Sequence, residues 1–327
     1  MEGIHRKIDK PTANFLHLID HDGTIFNLIY PLSTYLNHKI LTSFSSSKKS
    51  LLNSLENISK EDLIVILHAT GNKKFFYTLK NKLAKKFKRF YIFLHVSPKH
   101  FLLKDRLDDL NKLRRLTKKY NIKILTPSKE LKKEFQNYGL NTLFIQVGID
   151  FKLKSKPQKS TKNYKKYIST ICTSEEKLYH YIKGIDKFSN LIKKLRLEKE
   201  SIILGNSANL FNRIKSKKLS FNGFLKYLER SRVYLQFSRT ESYNLSAIYA
   251  KRLKIPIIVS NIEGHKDNVR HGFRANNIKD AERYLKDILS KYNDPKIKNI
   301  VEKNYKDSLR RENLNSFKNS FNKLIKI

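Results

Sequence analysis

Residues 231–272 read SRVYLQFSRTESYNLSAIYAKRLKIPIIVSNIEGHKDNVRHG. The apolar run Val233–Phe237 has strand character, and Ser238–Arg239–Thr240–Glu241 follows at its carboxyl end. Asn244 to Leu253 has helical spacing, and Ile255–Pro256–Ile257–Ile258–Val259 reads as a second buried strand, so the stretch is a strand–loop–helix–strand unit of a parallel sheet. Ligands of open α/β sheets collect at the carboxyl ends of strands, where helix N-termini offer N–H groups to anions. A carboxylate, Glu241, beside such an N-terminus suits a ligand that is part phosphate and part hydroxyl, as a sugar nucleotide is.

These residues resemble the donor-binding signature of retaining glycosyltransferases of the GT-B fold, family 4. In that family a Ser–x–x–Glu loop opens a helix, a second Glu lies eight positions on, and a strand with Pro and a Gly–x–x–Glu turn follow. Ser238, Glu241, Pro256, Gly264 and Asp267 fill the pattern, while Tyr249 stands in place of the second Glu. The segment 125–150, LTPSKELKKEFQNYGLNTLFIQVGID, is similar to the close of the family's first domain, with Ser128 as a helix cap, Gly139 at the helix end and Gly148–Ile149–Asp150 at the closing position.

Outward from this unit, strand and helix patterns alternate along the chain, which argues for α/β layers with parallel sheets. Strands are expected at Phe15–Ile19, Leu63–His68, Phe90–His95, Ile122–Thr126, Leu143–Val147, Tyr167–Cys172 and Ser201–Leu204. The Lys-rich stretch 151–166 is the expected linker. The resemblance implies two Rossmann-like domains facing across a cleft, an acceptor-side domain over 1–150 and a nucleotide-sugar-binding domain over 151–310. A helix at about 311–327 is expected to pack back on the first domain.

The chain has 327 residues, enough for two domains that each bury a core. Its formal charge is +39, which favours anionic partners; biased coding composition, rich in Lys, Asn and Ile, is the alternative source. One cysteine, Cys172, excludes an internal disulfide and fits a reducing, cytoplasmic setting. No apolar run is long enough for a membrane span, and the N-terminus does not read as a signal peptide. Residues 73–90 read as a basic amphipathic helix with Phe76, Leu79, Leu83, Phe87 and Phe90 in one stripe. It is either a sheet-packed helix with a solvated face or a peripheral dock on an anionic membrane surface. Nucleic-acid motifs and metal-ligand clusters are missing from the sequence, so neither nucleic acid nor a metal is expected as a partner.

The resemblance assigns roles residue by residue. Lys183, in the Lys–Gly element of LYHYIKGIDKF, would bind donor phosphate; the family's Arg about five residues earlier is absent. Glu241 would accept hydrogen bonds from donor-sugar hydroxyls. Asn244, Leu245 and Ser246 would present backbone N–H groups to the diphosphate, and Gly23 would let the first domain's backbone approach it. Tyr249, where a carboxylate normally holds the ribose, implies altered donor choice, weaker binding or lost activity, unless it is simply a core aromatic. His95 is the candidate first-domain histidine near the donor sugar and the acceptor, with His68 as its competitor. The implied activity is transfer of a sugar from a nucleoside-diphosphate sugar to a glycan, lipid-linked or protein-linked acceptor, without metal or other cofactor. The alternatives are a non-catalytic GT-B-like binding protein and a phosphatase of the haloacid-dehalogenase type. The latter rests on Asp20–His21–Asp22–Gly23–Thr24 and wants a later acidic pair, for which Asp108–Asp109 is the only adjacent Asp pair.

Overall fold

The computed structural model describes residues 15–19, 29–30, 34, 39–42, 63–69, 85–149, 165–205, 214–217 and 219–325. They build two parallel sheets of six strands each. The first contains β1 (Phe15–Ile19), β2 (Lys39–Thr42), β3 (Ile64–Ala69), β4 (Arg89–Leu94), β5 (Lys123–Thr126) and β6 (Thr142–Phe144), in the order β2-β1-β3-β4-β5-β6. The second contains β7 (Tyr167–Ile171), β8 (Ser201–Leu204), β9 (Lys215–Lys217), β10 (Ser231–Gln236), β11 (Ile257–Ser260) and β12 (Phe273–Ala275), in the order β12-β11-β10-β7-β8-β9.

Both sheets are doubly wound. The chain leaves β1 to one side and β3 to the other, and likewise leaves β7 to one side and β10 to the other. Each reversal opens a crevice at the carboxyl ends of those two strands. The central strands are near-continuous apolar runs because helices cover both faces. In the first domain, Leu16, Leu18, Val65, Leu67, Ile92 and Ile124 pack beneath α2 (Leu107–Lys119) and α3 (Lys129–Asn137) through Leu110, Leu113, Leu131 and Phe135. On the opposite face Phe15, Ile19, Ile66 and Phe93 meet Phe317, Phe321 and Leu324 of the last helix, α11 (Leu314–Ile325).

The chain therefore passes between the domains twice, and the two passages touch. Ile149 N donates to Glu312 O at 3.1 Å, and a Cβ on Gly148 would lie 2.0 Å from Asn313 O. Beside this crossing, Lys251 and Glu312 form an ion pair at 2.6 Å with neither side chain exposed.

Several expectations are corrected. Phe90, expected both to open a strand and to end the 73–90 helix, belongs to β4, and Phe87 precedes that strand as a buried core residue, because the chain must already be extended to pair Phe90 with Val65. Residues 73–84 of that stretch lie outside the described residues, as do Asp20, Asp22, Gly23, Asp150 and most of the expected linker. The Gly–x–x–acid turn is a short helix, α8 (Glu263–Asn268). Three strands were not expected from the sequence: β9, β12 and β2, the last of which carries the same Lys–Ile–Leu–Thr as β5. All lie at sheet edges, where a strand is short and, as in Lys215–Ser216–Lys217, carries lysines that discourage further pairing.

Candidate donor site at the mouth of the second sheet

The crevice between β7 and β10 collects the chemistry. After β7, α4 (Lys177–Lys183) ends at Gly184, which is left-handed with φ 68° and opens α5 (Ile185–Lys194). A Cβ there would sit 1.9 Å from Phe237 O, so only glycine lets this turn lie against the end of β10. The turn is held from β10's side: Gln236 Nε2 donates to Lys183 O at 2.9 Å, and Arg239 N to Ile182 O at 2.8 Å. The Arg239 guanidinium grips Asp186 in bidentate fashion at 2.8 and 2.6 Å and lies over the Tyr181 ring.

This clamp brings Lys183 to Glu241. Lys183 Nζ lies 2.6 Å from Glu241 Oε2, with side chains 19% and 9% exposed. Burial alone would lower the lysine's pKa, but the facing carboxylate and Tyr179 outweigh it and hold the ammonium above its ordinary value. Burial likewise opposes ionisation of Glu241, yet Lys183 and then His265 keep its carboxyl below the usual range. Both groups are charged at neutral pH.

Asn244 is the N-cap of α7 (Leu245–Arg252): its Oδ1 accepts from Ala247 N at 3.0 Å. Its Nδ2 meets His265 Nε2 at 3.0 Å, and His265 Nδ1 donates to Ser260 O at 2.9 Å, which fixes the amide's orientation. Leu245 and Ser246 form the first turn of α7, beside the ion pair. Ser238 is buried, and its Oγ accepts from Gln236 Nε2 at 3.1 Å. Tyr249, one turn further along α7, packs edge-on against Phe221 and Phe224, with ring centroids 5.3 and 6.2 Å away.

The first domain closes over this loop. Ser97 Oγ hydrogen-bonds Thr240 Oγ1, and Ser242 Oγ donates to His95 O at 2.7 Å. His95 thus lies beside the Glu241 loop. His68, its competitor, is a fully buried neighbour whose Nδ1 is 2.9 Å from His95 Nε2. Asp267 also spans the domains: its Oδ2 accepts from Ser128 Oγ at 2.5 Å and from Glu130 N at 3.1 Å, adding a carboxylate to the N-terminus of α3.

Two histidines escaped the sequence reading. His100, in α1 (Pro98–Leu103), is pushed down to about 4 by burial, then by Lys104 and Lys183, and it feels Glu241. His265 is lowered to about 4 by burial, against the pull of Glu241. Neither carries a local signal, since their roles come from groups far away in the chain. Asp108 and Asp109 occupy the first turn of α2, with Asp109 bound to Arg106 at 2.6 Å, so they are not an acidic pair at a strand end.

No family model matches the chain, and neither does any curated protein. Solved structures do. Anabaena Alr3699/HepE in complex with UDP and glucose matches with a TM-score of 0.70 at 13% identity, over 96% of this chain and 99% of that one. An α,α-trehalose-phosphate synthase (UDP-forming) from Burkholderia vietnamiensis matches with a TM-score of 0.69 at 12% identity, over 96% and 100%. The N-terminal domain of Candida albicans trehalose-6-phosphate phosphatase matches with a TM-score of 0.67 at 13% identity, over 100% and 99%. At such identities the likeness establishes architecture: this chain has the two-domain GT-B fold.

Proposed function

We propose that the protein is a glycosyltransferase that moves a sugar from a nucleoside-diphosphate sugar to a glycan, lipid-linked or protein-linked acceptor, with retention and without a metal. The observation that carries this reading is the Lys183–Glu241 pair, set at the reversal point of the second sheet, at the start of α7 and against the first domain's His95 loop. A cation and a helix N-terminus suit a diphosphate leaving group, whose charge grows as the glycosidic bond breaks. A carboxylate with two acceptor oxygens suits vicinal sugar hydroxyls.

In this reading donor binding exchanges the ion pair for ligand contacts. Lys183 turns to phosphate and Glu241 to hydroxyls, so neither buried charge is stranded. Leu245 and Ser246 offer first-turn N–H groups to the diphosphate, while the Asn244 side chain holds the turn in shape. His95 and His100 stand neutral above the sugar. Tyr249 and the half-exposed Phe221 offer apolar ring surface to the nucleoside where the family carries a carboxylate. Closure of the domains excludes water from the transferred sugar.

One structural neighbour, Alr3699/HepE, has been solved with UDP and glucose and with UDP-glucose, which makes uridine the first base to test. The test is a thermal-shift panel of nucleoside diphosphates and sugar nucleotides without added metal. A ligand at 100 times its Kd stabilises the folded state by about 2.7 kcal/mol. The expected result is a clear shift with one nucleotide family, lost in Lys183→Ala. No shift with any member of the panel would overturn the donor site and favour the non-catalytic reading. For the acceptor side, anionic vesicles test whether the basic surface docks on lipid; among the described residues no helix is long and apolar enough to cross a membrane.

A further inference from the structure

Three histidines of the first domain form a row that runs from the sheet interior to the site. His17 is on β1, His68 on β3 and His95 just past β4, three strands that are neighbours in the sheet. His17 pairs across with Ile66, and His68 with Phe93. Each ring therefore lies one strand over and one side-chain step closer to the carboxyl edge than the last. His17 Nδ1 is 3.0 Å from His68 Nε2, and His68 Nδ1 is 2.9 Å from His95 Nε2. The surroundings are apolar: Phe321 meets His17 edge-on at 5.5 Å, and Phe93 stacks on His95 at 4.5 Å. The rings run in line and do not converge on a point, and among the described residues no His, Cys, Asp and Glu group is arranged to hold a metal.

Charge is excluded from the two rings nearer the site. Burial lowers His95 to about 3, and burial with the two flanking imidazoles holds His68 well below its ordinary value. A neutral imidazole carries one N–H and one bare nitrogen. With both hydrogen bonds made, only two arrangements exist for these two rings. Either both are protonated at Nδ1 and His17 Nδ1 donates to His68, or both are protonated at Nε2 and His17 Nδ1 accepts from it. In the first, His95 Nδ1 is a donor; in the second, it is an acceptor. That nitrogen has no hydrogen-bond partner among the described residues, and it belongs to the residue whose backbone carbonyl accepts from Ser242, next to Glu241.

We propose that His68 and His17 are positioning residues for the transfer reaction: the row fixes the His95 ring and couples its tautomer to theirs, so that whether His95 donates to or accepts from the donor sugar is shared along the row. This rests on the donor-site reading above, which supplies the ligand that His95 would meet.

The test is long-range proton–nitrogen NMR of protein labelled in its histidine rings, with UDP-glucose as the probe ligand. Neutral His68 and His95 rings with the same tautomer are expected between pH 6 and pH 8, with matched rings outnumbering unmatched ones by at least ~10:1, the ratio that a hydrogen bond of about 1.4 kcal/mol sustains. In His68→Phe the link is cut, and the His95 tautomer ratio should move from its wild-type value while the protein still melts cooperatively. His68→Gln is the second variant should Phe not fold; its amide offers either a donor or an acceptor and should move the ratio likewise. Unmatched tautomers in the wild type, or a His95 ratio unchanged in both variants, would overturn the proposal. So would His95 resonances that stay in place at UDP-glucose concentrations that raise the melting temperature. Failure of the donor reading looks different: matched tautomers persist, and UDP-glucose produces no melting shift.

Discussion

Replacing Lys183 by Met separates the stability of the site from its chemistry. The substitution removes the cation and nearly conserves the stem's volume, leaving Glu241 with its side chain 9% exposed and its partner gone. Breaking a buried ion pair by removing one member costs about 3–5 kcal/mol. Lys183 is 19% exposed, so water relieves part of this and the lower end applies, about 3 kcal/mol. For a domain of this size that is a fall in Tm of roughly 6–12 °C. The sign of the pH dependence follows. In the wild type Glu241 is held below the usual carboxylate range, so its contribution is present above the unfolded pKa and is lost as pH falls through the folded one. In Lys183→Met the carboxyl is raised by burial, so the variant's deficit shrinks on acidification as Glu241 protonates. The double variant Lys183→Met/Glu241→Gln removes both charges and should regain most of the lost Tm while binding no sugar nucleotide. The assay is thermal melting at pH 5 and pH 7.5, with and without nucleotide. A single variant that melts like the wild type at pH 7.5, or a double variant less stable than the single, would refute the view of a tightly coupled buried pair.

Other outcomes follow from the same geometry. His95, His100 and His265 have folded pKa values depressed to about 3, 4 and 4, so the stability that they confer is complete above their unfolded value near 6.5 and is lost as pH falls. Each should add up to about 1.4 kcal/mol per pH unit to acid destabilisation below pH 6.5, and a Tm that stays flat from pH 6.5 to pH 4.5 would contradict their burial as neutral rings. Gly184→Ala should cost more than the 1–2 kcal/mol of left-handed strain alone, because its Cβ meets Phe237 O at 1.9 Å; a denaturant midpoint within error of the wild type would show that the Lys183 turn is not locked to β10.

The element plan was legible because it rests on short-range signals. Apolar runs bounded by turns mark the central strands, and Ser128 and Asn244 cap the helices that they precede. The Lys183–Gly184 turn and the loop Ser238–Glu241 were legible as a pair by resemblance, although no spacing rule tells how close a lysine and a glutamate 58 residues apart will come. The edge strands β9 and β12 were a loss in the fold, since three polar or mixed residues carry no period to read.

What the sequence determined by itself is therefore local: which segments are strands, where helices begin, and which residue types stand at the carboxyl ends of the central strands. Backbone sterics, capping and hydrophobic period act over a few residues and are written in order along the chain. Only the tertiary structure decided that His17, His68 and His95, 51 and 27 residues apart, share one line of hydrogen bonds, and that Asp267 caps a helix of the other domain. Those contacts depend on strand order and on a register in which a shift of one residue would turn each ring to the opposite face of the sheet, and that register is set by the packing of the whole sheet beneath its helices.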